Sequence, residues 1–236
     1  MANDFFKFKQ FTIHQDRCAM KVTTLACIQG AWLPDFMPIN ILDIGAGTGL
    51  LSLMAAQKYD CKIDAVEIEQ DTFSQLKENS AQSPWNSRIK CHHTDVINFA
   101  KNINNKYDLI ISNPPFYKNQ LKSSNDKINH ARHETGLSNE DLIDVSSRLI
   151  SESGKISILL PPAETKKLAE ACQRKFLFFS DQLLIKDSEK KEPKAIVTIL
   201  SKKPSKLISK KMIIKNDNGA YSSNFISLLE PYYLYL

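Results

Sequence analysis

Tyr107-Asp108-Leu109-Ile110-Ile111-Ser112, followed by Asn113-Pro114-Pro115-Phe116, is the stretch from which the rest of the chain can be read. The first six residues form the near-continuous apolar run of a strand buried on both faces, as in a parallel sheet. Two consecutive prolines fix φ, donate nothing to a sheet ladder and hold the preceding residue extended, so the chain leaves the sheet at Asn113. Open α/β sheets bind ligands at the carboxyl ends of their strands. At such a place the corner offers the Asn113 amide oxygen, the Pro114 carbonyl and the Phe116 ring. Two acceptors and an aromatic face suit a flat group bearing an exocyclic NH2.

Upstream, Ile39 to Ile44 is a short apolar strand, Asp43-Ile44-Gly45-Ala46-Gly47-Thr48-Gly49 follows at its tip, and Leu50 to Gln57 continues as a helix. Glycines allow a tight turn and a close approach to a ligand, and the helix start offers free N–H groups. A dinucleotide fingerprint wants a further glycine where Leu50 stands. The acid at Asp43 would repel a pyrophosphate and favour an amino group or a sulfonium, which turns the reading from NAD towards S-adenosylmethionine. The next strand, Cys61 to Ile68, ends near Glu67, placed to hold two ribose hydroxyls; the alternative is that Glu67 or Glu69 caps the helix from about Gln70 to Gln82. Residues 88–93 form a further strand, after which Asp95 either meets the adenine of the ligand or caps a helix.

Residues 5–12 alternate aromatic with basic or polar side chains, as a half-exposed strand or arm does, and Met20, Thr24, Cys27, Ile28 and Ala31 predict a helix within 17–32. Beyond the corner, Ser138-Asn139-Glu140-Asp141 opens a helix to about Glu152, closed by Gly154. A strand from Lys155 to Leu160, a helix from Glu164 to Arg174, and strands from Phe176 to Ile185 and Ala195 to Leu200 follow. Tyr221 to Leu236 is apolar enough to pack back on the body. The fold expected is α/β: a Rossmann-like, doubly wound, mostly parallel sheet with an antiparallel edge hairpin. One domain over residues 1–236 is expected, with an N-terminal arm and helix over 1–37 and a basic C-terminal extension over 186–236.

The net charge of +5 and a pI near 8.8 are compatible with a polyanionic partner without requiring one. Residues 186–215 hold ten Lys and three acids, which reads either as a phosphate-contacting patch or as a solvated edge. The polar segment 117–137, with Lys118, Lys122, Lys127, His130, Arg132 and His133, reads as a loop beside the site or as plain surface. His130-x-x-His133-Glu134 lacks companion ligands at a metal spacing, so no metal is expected, and His92-His93 point to opposite faces of a strand. Five scattered cysteines, no leader pattern and no apolar run of about 18 residues point to a reducing cytoplasm and no membrane.

Several stretches together resemble the bacterial valine-tRNA adenine-N6 methyltransferase family, a family of class I S-adenosylmethionine-dependent methyltransferases. They are Phe11 through Asp16-Arg17-Cys18-Ala19-Met20-Lys21-Val22, Asp43 to Gly49, Asp64-Ala65-Val66-Glu67, Asn79 with Ser83-Pro84-Trp85-Asn86-Ser87-Arg88-Ile89, Asp108 to Phe116, Tyr221-Ser222 and Tyr233-Leu234. The resemblance spans nearly the whole chain. It implies N6-methylation of the adenosine immediately 3′ of the anticodon, with the tRNA anticodon stem-loop as partner. It further implies S-adenosylmethionine held by Asp43, Gly45, Gly47, Gly49, Glu67 and Asp95, and catalysis at Asn113, Pro114, Pro115 and Phe116. After Lys21-Val22 the family usually shows Gly-Thr-Asp where this chain has Thr23-Thr24-Leu25. Thr24 keeps the match and joins the cofactor residues, while the carboxylate is missing. A monomer is expected. Methylation of a protein glutamine amide or of guanine N2 in ribosomal RNA uses the same NH2 geometry, and a non-catalytic RNA-binding protein is the reading from another class.

Overall fold

The computed structural model describes residues 3–115 and 137–236. Its sheet strands are β3 (Asn40–Ile44), β4 (Lys62–Glu67), β5 (Ile89–His93), β6 (Tyr107–Ser112), β7 (Ile150–Leu160), β8 (Phe178–Lys186), β9 (Ala195–Ser201) and β10 (Ile208–Ile213); β1 (Phe5–Lys7) and β2 (Thr12–His14) form a separate antiparallel pair. The described helices are α1 (Thr24–Ala31), α2 (Leu50–Lys58), α3 (Gln70–Ala81), α4 (Val96–Lys101), α5 (Asn139–Leu149), α6 (Pro162–Arg174) and α7 (Ser223–Leu229). The eight strands lie in the order β10-β8-β9-β7-β6-β3-β4-β5. All neighbours are parallel except β9, which runs antiparallel to both β7 and β8.

Helices cover both faces, which is why the central strands read as unbroken apolar runs. Ile41, Leu109, Ile111 and Leu159 face one core with α1, α2 and α7, whereas Leu42, Ile44, Ile110 and Ile158 face the other with α4, α5 and α6. The doubly wound, mostly parallel fold is thus as expected. The antiparallel strand, however, is interior, and the edge is β10, a strand the sequence reading left out because four of its six residues are polar or exposed.

Three further expectations change. The helix expected within 17–32 is present only as α1, because Thr23 caps it by accepting from the Ala26 N–H at 3.2 Å. The helix opened by Ser138 stops at Leu149, and Gly154 lies inside β7; a Cβ there would meet Ile150 Cδ1 at 2.7 Å, so the glycine answers a close contact and not a helix end. The N-terminal arm is a hairpin, with Phe8 and Phe11 buried. It is clamped by the chain's other extremity: Phe8 bridges Tyr233, the Lys9 N–H donates to the Tyr232 carbonyl at 2.8 Å, and Phe225, Leu229 and Tyr232 are buried as expected for that segment. His92 pairs with Asp64 at 2.6 Å while His93 stacks on Phe73, on opposite faces of β5.

Candidate active site

The tips of β3, β4 and β6 meet at one end of the sheet. Gly45 and Gly47 have φ of +66° and +58°, a left-handed backbone with nothing within 4 Å of a would-be Cβ, so the turn after β3 leaves open space above it. Gly49 differs: at φ +91° it heads α2, and a Cβ would strike Leu76 Cδ1 at 2.8 Å. The turn is fixed from below by the Gly45 and Ala46 N–H groups donating to the Val66 carbonyl, both at 3.0 Å.

Glu67 closes β4, nearly buried, and its carboxylate is the keystone of the turn. Oε2 accepts from the Gly47 N–H at 2.9 Å, and Oε1 accepts from the N–H groups of Ile68 and Glu69, each at 2.9 Å. Glu69 is the N-cap of α3, accepting from Thr72 at 2.7 Å, so the two acids divide their labour. Asp43 is wholly buried; Oδ2 accepts from the Ser52 hydroxyl at 2.6 Å, while Oδ1 has no partner among the described residues. Burial, reinforced by the nearby Glu67 charge, pushes the Asp43 carboxyl up to about 7. Asp95 caps α4, with Oδ1 accepting from the Ile97 and Asn98 N–H groups at 2.9 and 3.1 Å.

A narrow cleft runs from this turn to Asn113. Gly45, Ala46, Gly47, Met20, Lys21, Val22 and Asn113 all line it. Asn113 Oδ1 is buried and accepts no hydrogen bond among the described residues. Buried polar atoms are ordinarily satisfied; Gln29 Oε1, Asp43 Oδ1, Gln57 Oε1, Ser146 Oγ and Thr198 Oγ1 share this state, but of these residues Asn113 is the one that lines the cleft. Pro114 is half-buried and Pro115 exposed, and Phe116 lies outside the described residues, as do 117–136 with His130 and His133. Thr24 is exposed at the start of α1 and does not line the cleft. A larger cleft of about 560 Å³ lies between α3 and β5, away from the strand tips that carry these acceptors.

Residues that sequence reasoning gave no role hold the site together. Gln29, fully buried on α1, donates from Nε2 to the Ser112 carbonyl at 3.0 Å and to the Ser157 carbonyl at 3.3 Å; Ser112 Oγ donates to the Ile44 carbonyl at 2.9 Å. The peptide entering Asn113 is thereby tied to both neighbouring strands. Asn79 on α3 donates from Nδ2 to the His14 and Thr48 carbonyls, both at 2.9 Å, and Gln75 accepts from the Arg17 N–H at 3.2 Å. These bonds press residues 14–22 against the glycine turn. A polar amide inside an apolar helical stretch was the available signal at Gln29.

A sheet with one interior antiparallel strand, a glycine turn after its first central strand and an acid at the tip of the next defines a class I methyltransferase. A family model described as methyltransferase small domain matches residues 31–159. Among solved structures, a predicted O-methyltransferase from Agrobacterium tumefaciens superposes with a TM-score of 0.66 at 17% identity, covering 87% of this chain and 95% of that one. A class I S-adenosylmethionine-dependent methyltransferase from Listeria monocytogenes gives 0.58 at 16% identity, covering 84% and 67%. Relatives named tRNA1(Val) (adenine(37)-N6)-methyltransferase are far nearer in sequence. That of Trichodesmium erythraeum is 38% identical over 237 residues (99% of each chain), and that of Christiangramia forsetii is 37% identical over 240 residues (100% of each). The chain belongs to the tRNA1(Val) (adenine(37)-N6)-methyltransferase family, and it is an S-adenosylmethionine-dependent enzyme.

Proposed function

We propose that the protein methylates N6 of an adenine in tRNA, the adenosine at position 37 immediately 3′ of the anticodon of valine tRNA. The observation that carries this reading is the orphaned, buried Oδ1 of Asn113 in the cleft that begins at the glycine turn. The activity for which full-length relatives are named supports the substrate.

The donor set fits the cofactor. Asp43 has an unpartnered oxygen for an amino group, Gly45 and Gly47 leave room for close approach, and Gly49 starts the helix beneath. Glu67 keeps further lone pairs for a ribose and Asp95 keeps Oδ2 for an adenine amine, whereas Thr24, carried over from the family, is exposed and off the cleft and drops out of the set. When bound, S-adenosylmethionine supplies a methyl group on a sulfonium.

The N6 lone pair of adenine is delocalised into the ring, so the amine becomes a nucleophile only as it turns pyramidal. Asn113 Oδ1 and the Pro114 carbonyl accept its two hydrogens and favour that geometry over the flat ground state, which is differential binding of the transition state. Proline at 114 and 115 keeps the corner stiff, so the acceptors need little reorganisation. The family resemblance assigns the stacking of the base to Phe116. The base must leave its stack to enter, which is cheapest in a single-stranded loop such as the anticodon loop. The five cysteines are all free, which fits a reducing compartment.

The test is incubation of purified protein with S-adenosylmethionine and unmodified tRNA transcripts, followed by nucleoside mass spectrometry. N6-methyladenosine at position 37 of valine tRNA is expected. A methylated guanine or a methylated protein glutamine in its place overturns the reading.

A further inference from the structure

The basic excess of residues 186–215 is not evenly spread. Residues 186–201 hold four lysines and three acids, whereas 202–215 hold six lysines and no acid. The topology separates the two groups. Because β8 runs parallel to β7 and β6, the 186–194 turn lies at the same end of the sheet as Asn113. Two of its four lysines are paired, Lys194 with Asp187 and Lys190 with Asp217 at 3.5 Å, and Lys186 donates to the Glu189 carbonyl.

The acid-free group runs elsewhere. Lys202, Lys203 and Lys206 sit at the opposite end of the sheet, Lys210 and Lys211 project from β10, and Lys215 follows it back at the catalytic end. Lys202 pairs with Glu152 at 2.7 Å and Lys211 with Glu189 at 3.6 Å, whereas Lys203, Lys206 and Lys210 are exposed and have no ion-pair partner among the described residues. β10 is the outermost strand, paired only with β8, so its edge is open over roughly 20 Å, with Lys210 on the strand and Lys203 and Lys206 in the connection that leads into it. It stands four strands from β6, roughly 19 Å at the usual strand spacing. That is too far to touch a base held at Asn113.

Resting on the function proposed above, we infer that the β10 edge, through Lys203, Lys206 and Lys210, is a docking rail for the phosphate backbone of an RNA double helix attached to the reacting loop. Charge complementarity picks the occupant. Three exposed lysines without ion-pair partners, in a stretch 202–215 that itself contains no acid, suit a polyanion, and the phosphates of a helical stem are read by shape and not by sequence. The contrasting explanation is that edge lysines only prevent strand-to-strand association.

The two separate in one set of measurements. The variant Lys203→Ala/Lys206→Ala/Lys210→Ala is compared with wild type and with Lys190→Ala/Lys191→Ala/Lys194→Ala for binding to full-length valine tRNA across a salt series. A single-stranded oligonucleotide of the anticodon loop, S-adenosylmethionine affinity and oligomeric state are measured alongside. The edge variant is expected to bind tRNA roughly 10- to 100-fold more weakly at low salt, with a salt slope shallower by about 2 to 3. Its affinities for the oligonucleotide and for S-adenosylmethionine are expected to stay at the wild-type level. Unchanged tRNA affinity, an equal loss for the single-stranded oligonucleotide, an equal loss in the 190/191/194 variant, or dimerisation of the edge variant each overturns the rail. Failure of the wild type to methylate tRNA overturns the underlying function instead, so the two failures are distinguishable.

Discussion

Around Glu67 the polar contacts are short-range or run between adjacent strand tips, whereas Asn113 is restrained from Gln29, whose bond to Ser112 spans 83 residues. On the cofactor side Glu67 is already satisfied, since three backbone amides find its carboxylate without any ligand, and Asp43 Oδ1 is the acceptor left open there. At the Asn113 corner the backbone is tied down and the side-chain acceptor is left open. On the function proposed, the difference separates Glu67, whose carboxylate is spent on the shape of the turn, from Asn113, whose acceptor is kept for the reacting amine.

The sharpest way to break that contrast is Asn113→Ala. Turnover is expected to fall at least ~100-fold, as for loss of one preorganised transition-state contact, with cofactor affinity unchanged by calorimetry. Equal losses in both would make Asn113 part of the scaffold. Glu67→Ala should do the converse: three amides lose their acceptor, and S-adenosylmethionine binding weakens roughly 10- to 100-fold, with turnover largely recovered at saturating cofactor. Gln29→Met keeps the volume and removes the donor, leaving the buried Ser112 and Ser157 carbonyls short of a partner. A drop in kcat of roughly 10-fold with an unchanged cofactor Kd is expected, along with about 1 to 3 kcal/mol of lost stability. Gln29→Glu, which supplies no amide donor, should fail to rescue kcat.

The smallest effect concerns pH. The Asp43 carboxyl is raised to about 7 in the folded protein from an ordinary value of 3.8. A raised value means that the folded state holds the proton more tightly, so this group's stabilising contribution is full below about 3.8 and is lost as pH rises to about 7. In thermal melts, Asp43→Asn should flatten that slope. A cationic amino group beside Asp43 favours the ionised form, so wild-type cofactor affinity should rise by several-fold between about pH 6 and pH 8 and level off above. A flat profile would separate Asp43 from the ligand.

Much of this was legible because the relevant signals are local. The run Tyr107–Ser112 has the bounds expected, and the prolines at 114 and 115 locate the corner. Asp43, Glu67 and Asn113 converge because each ends a central parallel strand, a position that βα alternation reveals. What was not legible depends on partners distant in sequence. Gln29, Gln75 and Asn79 look like ordinary polar residues of helices until tertiary packing buries them. β10 hides because an edge strand exposes most of its side chains and so lacks the apolar signature that betrayed β6. Asp95 was ambiguous between cap and ligand contact, and its Oδ1 is occupied by the cap.

The clasp between the N-terminal hairpin and the chain's other extremity imposes an order of manufacture. Lys9 must wait 221 residues for Glu230 to exist, a delay of roughly 10–45 s at the usual pace of translation. Through that interval Phe6 and Phe8 lack the Tyr233 ring they pack against, so the nascent chain displays an uncovered greasy tuft. Ribosome-stalled chains ending before residue 223 are accordingly expected to be cleaved by protease within residues 5–14, where the finished protein resists.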